Sequence, residues 1–157
     1  MIRPVLPQDT PTLVALAEGT GVFKPAEVDA LREVLDDYHR EAHARGHRAA
    51  AFERDGRPIG FVYYAPAAMT DRTWYLYWIA VDKRVQAEGT GGVLLRHAED
   101  QIRREKGRLL LVETSSLPHY ELTRRFYAKQ GYEVTAVVGD FYSDGDDLVI
   151  FRKRLAE

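Results

Sequence analysis

The sequence predicts a mixed α/β domain with a strand–helix–strand crossover in its second half. Three observations carry it. Thr73–Val81 alternates bulky residues on both faces, Tyr75, Tyr77, Ile79 and Val81 against Trp74, Leu76, Trp78 and Ala80, so both sides are covered and the strand is central. A glycine-rich turn follows, then Val93, Leu94, Leu95, Ala98 and Ile102 at helical spacing, then the short apolar run Leu109–Val112. Turn signals at Asp55-Gly56 and Ser143-Asp144-Gly145 mark hairpins before and after this unit.

The remaining elements fall in order. Ile2–Leu6 reads as a first strand, and Pro4 places it at an edge. Asp9-Thr10-Pro11 opens a helix carrying Leu13, Leu16 and Ala17, which Gly19-Thr20-Gly21 breaks. Pro25 opens a second helix, whose Val28, Leu31, Leu35, Tyr38 and Ala42 form one buried stripe that runs until Gly46. Arg48–Glu53 and Pro58–Ala65 are the strands of the first hairpin. The crossover helix stops at Gly107, and a last helix spans Tyr120–Gln130 with Gly131 as its cap. Strands near Tyr132–Val138 and Asp147–Arg152 complete the chain.

Composition narrows the function. A length of 157 residues suits one domain, residues 1–157, and 45% hydrophobic with 29% charged residues is ordinary for a globular protein. With no cysteine there is no disulfide, no thiolate metal site and no cysteine nucleophile, so any group transfer is direct or runs through another residue type. The net charge of −2 lacks the basic excess of a nucleic-acid binder. No signal-like start and no apolar run of about 18 residues occur, so a cytoplasmic protein with no membrane partner is expected.

The segment from Ala80 to Leu95 carries the chemistry. A buried strand enters a turn with Gly89, Gly91 and Gly92, which opens onto an apolar helix. The first N–H groups of such a helix lack partners, and its dipole adds positive potential there, so the end suits an anion. A Walker loop would need Gly-Lys-Ser/Thr where Gly92-Val93 stands, and a dinucleotide fingerprint would need G-x-G-x-x-G early in a parallel sheet. A glycine-rich connection without ligand is the alternative.

Gln86-x-x-Gly89-x-Gly91, after a strand ending Ile79-Ala80-Val81-Asp82, resembles the pyrophosphate-binding motif of the GNAT superfamily of acetyl-CoA-dependent N-acetyltransferases. Arg125-Phe126-Tyr127-Ala128-Lys129-Gln130-Gly131-Tyr132 independently resembles that family's last helix, and the order of elements matches over nearly the whole chain. The resemblance implies a mostly antiparallel central sheet flanked by helices, with acetyl-CoA as co-substrate. It implies that backbone groups of Ile79 and Val81 pair with the pantetheine arm, while amides of Ala87, Glu88, Gly89, Thr90, Gly91 and Gly92 hold the pyrophosphate. Tyr127 matches the tyrosine that protonates the leaving thiolate, a role a phenol with a pKa near 10 can fill. Without the motif it reads as a core aromatic. Tyr120 stands where many members carry an Asn, seven residues before that tyrosine.

Glu113 occupies a position where some relatives place a base, and partial burial there would raise its pKa. A solvated Glu beyond the paired strand is the alternative. His39 and His43 lie four apart on one helical face without a third ligand, so no metal is expected. His119 is a candidate for the acceptor side, as is the acidic hairpin Asp140–Asp147 with Phe141 and Tyr142. The expected activity is acetyl transfer to a primary amine by direct attack in a ternary complex. Protein N-terminal or lysine acetylation and a non-catalytic acyl-CoA sensor are the alternatives. Expected partners are a small-molecule or peptide amine, with the chain a monomer or homodimer.

Overall fold

The computed structural model describes residues 1–156, apart from the side chain of Ala87. Seven strands form, β1 (Ile2–Pro4), β2 (Arg48–Arg54), β3 (Arg57–Pro66), β4 (Thr73–Val81), β5 (Leu109–Ser115), β6 (Glu133–Ser143) and β7 (Asp146–Arg154). They hydrogen-bond in the order β1-β2-β3-β4-β5-β7-β6, and the helices are α1 (Thr10–Gly19), α2 (Pro25–Arg40), α3 (Thr90–Arg104) and α4 (Glu121–Lys129). No helix among the described residues is long and apolar enough to cross a membrane. Contacts divide the chain into two compact units.

The first unit holds Met1–Ala65 and Trp78–Ala98. β1 pairs antiparallel with β2, and β2 with β3. Asp55 and Gly56 both adopt positive φ, 52° and 75°, which is the backbone a two-residue hairpin needs and which the Asp-Gly pair supplies. The stripes foreseen on α1 and α2, including Leu13, Leu16, Leu31 and Leu35, meet Ala51 and Phe61 of the sheet in one buried core. α2 ends sooner than the stripe suggests. Glu41 leaves helical geometry at φ −140°, the chain tightens into a 3-10 turn over Ala42–Arg45, and Gly46 stops it at φ 98°. Ala42 is buried all the same, so burial outlasts the helix.

The second unit holds Pro66–Tyr77 and Glu99–Glu157. Here β4 pairs parallel with β5 from Thr73↔Leu109 to Leu76↔Val112, as the crossover requires. β7 lies antiparallel to β5 and also to β6. Gly107, just before β5, has no room for a side chain: a Cβ there would lie 2.2 Å from Ile102 Cγ2 and 3.1 Å from Trp74 Cδ1. β5 runs longer than the sequence suggested, because Glu113, Thr114 and Ser115 keep pairing with Ile150, Val149 and Leu148, and both last strands run longer as well.

In the second unit Trp74 lies against Gly107, and in the first unit Trp78 joins the α1 and α2 core beside Phe23. Val81 and Leu94 of α3 both close over Gly60 in the first unit.

Candidate active site

In the first unit, the end of β4 is fixed by the Asp82 N–H, which donates to the Ile59 carbonyl at 2.7 Å. The Asp82 carboxylate accepts the Arg84 guanidinium at 2.6 Å and the Arg84 amide at 2.9 Å, and these bonds, the side chain's first, hold its pKa down at about 2. Gln86 Nε2 donates to the Val81 carbonyl at 3.2 Å. The 3-10 turn Lys83–Glu88 is thus tied back to the strand at both ends, with Ile79 half-buried and Val81 buried just before it. Gly89 then takes φ 82°, a conformation that strains any L side chain, and Val93 N–H closes the first turn of α3 on the Gly89 carbonyl at 3.2 Å. The N–H groups of Thr90, Gly91 and Gly92 come before that bond and have no carbonyl four residues back within the helix. A helix start with free amides attracts an anion, and these amides belong to the residues the sequence singled out. Glu88 lies at the end of the turn, 3.5 Å from Arg54. The Ala87 backbone belongs to the turn, and its side chain lies outside the described residues.

Tyr127 lies in the second unit, on the inner side of α4. It is 3% exposed and packs against Phe126, Tyr132 and Phe151 at ring distances of 5.4–5.8 Å. Burial alone pushes its phenol well above the usual tyrosine range, so it holds its proton at neutral pH. Nearby, the Tyr132 hydroxyl donates to Glu99 Oε2 at 2.7 Å, and Lys153 Nζ reaches the same carboxylate at 3.0 Å. Glu99 is 2% exposed, so this triad locks α3 to β7 and to the end of α4. The sequence reading missed it, although a signal was present: Glu99 falls four residues after Leu95 and three before Ile102, on the buried stripe of α3.

Glu113 opens on the other side of β5. Its strand partner on β7 is Ile150, whereas Phe151, the ring packed on Tyr127, faces Val112. Adjacent strand residues point to opposite faces, so Glu113 and Tyr127 lie on opposite faces of the β5–β7 pair. The Glu113 side chain is exposed, as in the solvated alternative, and the pairing with β4 ends one residue earlier, at Leu76↔Val112. Its electrostatic neighbour is Tyr77, whose ring lies 5.6 Å from that of Tyr75. The sequence reading counted both tyrosines only as sheet packing.

Other candidates take simpler parts. His39 and His43 both pack edge-on against Tyr38, and no group of three or more His, Asp or Glu among the described residues is arranged to hold a metal. His119 is exposed, its ring tilted 43° against that of buried Tyr120. In the hairpin, Asp140 accepts from the Gly145 amide and Asp147 from the Asp140 amide, each at 2.8 Å, while buried Asp146 accepts from Ser115 Oγ at 2.5 Å. Three of its carboxylates therefore build the turn and tie it to β5.

Comparisons with known proteins bear on the family and the fold. The acetyltransferase (GNAT) domain family matches residues 45–134. Among solved structures, a protein described as a GNAT-family acetyltransferase from Desulfovibrio desulfuricans is 38% identical over 99% of both chains, with a TM-score of 0.95. An aminoglycoside 6'-N-acetyltransferase complexed with coenzyme A (18% identity, 100% of this chain and 98% of that one, TM-score 0.84) shares the fold. So does an alanine N-acetyltransferase of a ribosomal protein from Escherichia coli (16%, 100% and 94%, TM-score 0.76). No curated protein sequence gives a match. A family match over more than half of the chain and a relative 38% identical along its full length settle the family: the chain belongs to the GNAT family of acetyl-CoA-dependent acetyltransferases.

Proposed function

We propose that residues 1–157 act as one N-acetyltransferase domain that moves the acetyl group of acetyl-CoA directly to a primary amine in a ternary complex. The observation that carries this reading is Tyr127, a buried phenol kept protonated by its surroundings. Acetyl-CoA supplies an electrophilic thioester, and the amides from Ala87 to Gly92, with backbone groups of Ile79 and Val81, are its proposed holders. The amine nitrogen attacks the carbonyl carbon, the amide C–N bond forms and the C–S bond breaks. Glu113, directly or through water, takes the proton the ammonium loses before attack, the nitrogen sheds its second proton to solvent as the C–S bond breaks, and Tyr127 gives a proton to the departing sulfur and regains it from solvent. No covalent enzyme intermediate is needed, in keeping with a chain that has no cysteine.

An amine acceptor is also what the neighbours' names describe, an aminoglycoside in one case and a protein's alanine in another. A protein or peptide amine is the second reading, favoured by Phe141 and Tyr142. These two exposed rings, 5.0 Å apart, sit at the β6–β7 hairpin and offer an apolar contact larger than a small amine needs. The test is the pH profile of Glu113→Gln, with peptides and small amines assayed side by side by release of free CoA thiol. The acidic limb of the wild type is expected to vanish in the variant, along with most of the activity. A variant with the wild-type rate at every pH would return Glu113 to the role of a solvated strand residue.

A further inference from the structure

α4, which carries Tyr127, is nine residues long, and isolated helices below about 12–15 residues are marginal in water. Its orientation is therefore set by what ties it to its surroundings. At the C-terminal end, Lys153 Nζ donates to the Gln130 carbonyl and the Tyr132 amide to the Tyr127 carbonyl, each at 3.0 Å. Toward the N-terminal end, two neighbouring arginines differ. Arg125 is exposed and pairs with Glu121 at 3.0 Å, a surface i,i+4 pair of small energetic weight. Arg124 is half-buried, and its Nη1 donates to two backbone carbonyls, Ser115 at 2.7 Å and Leu117 at 3.0 Å. Its charge is spent on the turn that leaves β5, not on a carboxylate of the helix surface.

That turn is itself braced against β7. Ser115 Oγ donates to Asp146 Oδ1 at 2.5 Å and accepts the Leu117 amide at 3.0 Å, with Ser115 and Asp146 7% and 2% exposed. Ser116 Oγ accepts the Asp147 amide at 2.8 Å, and the Ser116 amide donates to the Asp147 carbonyl at 3.0 Å. A run of bonds thus leads from β7 through the turn to Arg124, and so to the helix on which Tyr127 stands three residues further along. Glu113 lies two residues before Ser115 on β5, so the same bonds join the strand of the proposed base to the helix of the proposed acid.

We propose that Arg124 is a positioning residue: by clamping α4 to the end of β5 it keeps the Tyr127 hydroxyl in the orientation that meets the departing sulfur. This rests on the proposed acid role of Tyr127. Arg124 acts through that hydroxyl and touches neither substrate. A misplacement of about 1 Å in a reacting group can cost about 10²-fold in rate, so a clamp that adds little binding can still govern turnover. A residue that only stabilised the fold would slow the enzyme alike with and without the Tyr127 hydroxyl.

The experiment is a double-mutant cycle of Arg124→Met with Tyr127→Phe, repeated with Ser115→Ala, which slackens the turn while leaving the helix intact. Turnover is read by release of free CoA thiol well below the melting temperature of each variant, and acetyl-CoA affinity by titration. Arg124→Met should lower kcat by about 10- to 100-fold with acetyl-CoA affinity unchanged, and Ser115→Ala should act in the same direction by less. On the Tyr127→Phe background either change should alter kcat by less than about 2-fold, because the group they place is gone. The inference is overturned if Arg124→Met keeps the wild-type kcat, or if it slows Tyr127→Phe as much as it slows wild type. Should Arg124→Met not fold, the Ser115→Ala cycle decides by the same two criteria. Failure of the acid role reads differently, as a wild-type kcat in Tyr127→Phe alone, and it would take this inference with it.

Discussion

Tyr127 and Tyr132 lie five residues apart in one aromatic cluster, with rings 5.8 Å from each other, and removing one hydroxyl from each should have opposite consequences. In Tyr132→Phe the lost group is a 2.7 Å hydrogen bond to Glu99, a carboxylate 2% exposed and already paired with Lys153. Bonds to charged groups contribute about 1.5–3 kcal/mol, which in a domain of this size lowers Tm by about 3–12 °C. In Tyr127→Phe no such bond is lost, because burial is the whole cause of the phenol's shift. With no hydrogen bond to this hydroxyl seen among the described residues, its removal should change stability little.

The rates should divide the other way. Losing a positioned acid costs about 10²–10⁴-fold in turnover, so Tyr127→Phe should be a stable, slow enzyme that binds acetyl-CoA with unchanged affinity. Tyr132→Phe, assayed well below its melting temperature, should keep its rate. Calorimetric melting, acetyl-CoA titration and release of free thiol measure all three quantities on each variant. If Tyr132→Phe slows as much as Tyr127→Phe, the cluster acts through packing and the acid role falls. If Tyr127→Phe keeps its rate, the thiolate leaves without a proton from this residue.

Three further outcomes are expected. Gly89→Val should weaken acetyl-CoA binding in a titration while the fold survives, since a Cβ there meets nothing within 4 Å and the cost is the strain of φ 82°, about 1–2 kcal/mol, at the helix start; wild-type affinity would remove the loop from the cofactor site. Gly107→Ala should shift the urea midpoint downward by the equivalent of about 1–3 kcal/mol or more, because Ile102 and Trp74 must both move, and an unshifted midpoint would show that β5 can rearrange around the added methyl. Burial raises the phenols of Tyr127 and Tyr132 above their unfolded value near 10, so the stability they add is complete below about pH 10 and is lost as pH climbs beyond it. Unfolding free energies measured through that window should fall less steeply in Tyr132→Phe, and an equal slope would show that this phenol titrates alike folded and unfolded.

The parts of the fold legible in the sequence are those set by backbone chemistry. Asp55-Gly56, Gly46 and Gly89 each announce a positive φ, and each has one. The parts that were not legible depend on which neighbour arrives from far along the chain. Nothing local tells that Trp74 rests against Gly107 or that Trp78 rests among α1 and α2, since each neighbour comes from far along the chain. Nothing local reveals that Tyr77 is exposed beside Glu113 while Tyr127 is sealed under Phe151, because register between strands 36 residues apart decides it.

That register also bears on the mechanism. An acid and a base that must exchange a proton with each other would have to share a face, and Glu113 and Tyr127 do not. Direct acyl transfer makes no such demand. The ammonium loses its proton on the side of the carbonyl carbon from which it attacks, and the sulfur gains one on the side from which it leaves, so the two groups are best kept apart. Separation also prevents the exposed carboxylate from drawing the tyrosine proton away before the C–S bond breaks, and it lets burial raise one phenol without burying the base. A variant that placed a second carboxylate on the Tyr127 side, such as Phe151→Glu, should therefore impair the acid without helping the base. A rise in kcat in that variant would show that acid and base communicate through the sheet, contrary to the arrangement argued from the strand pairing.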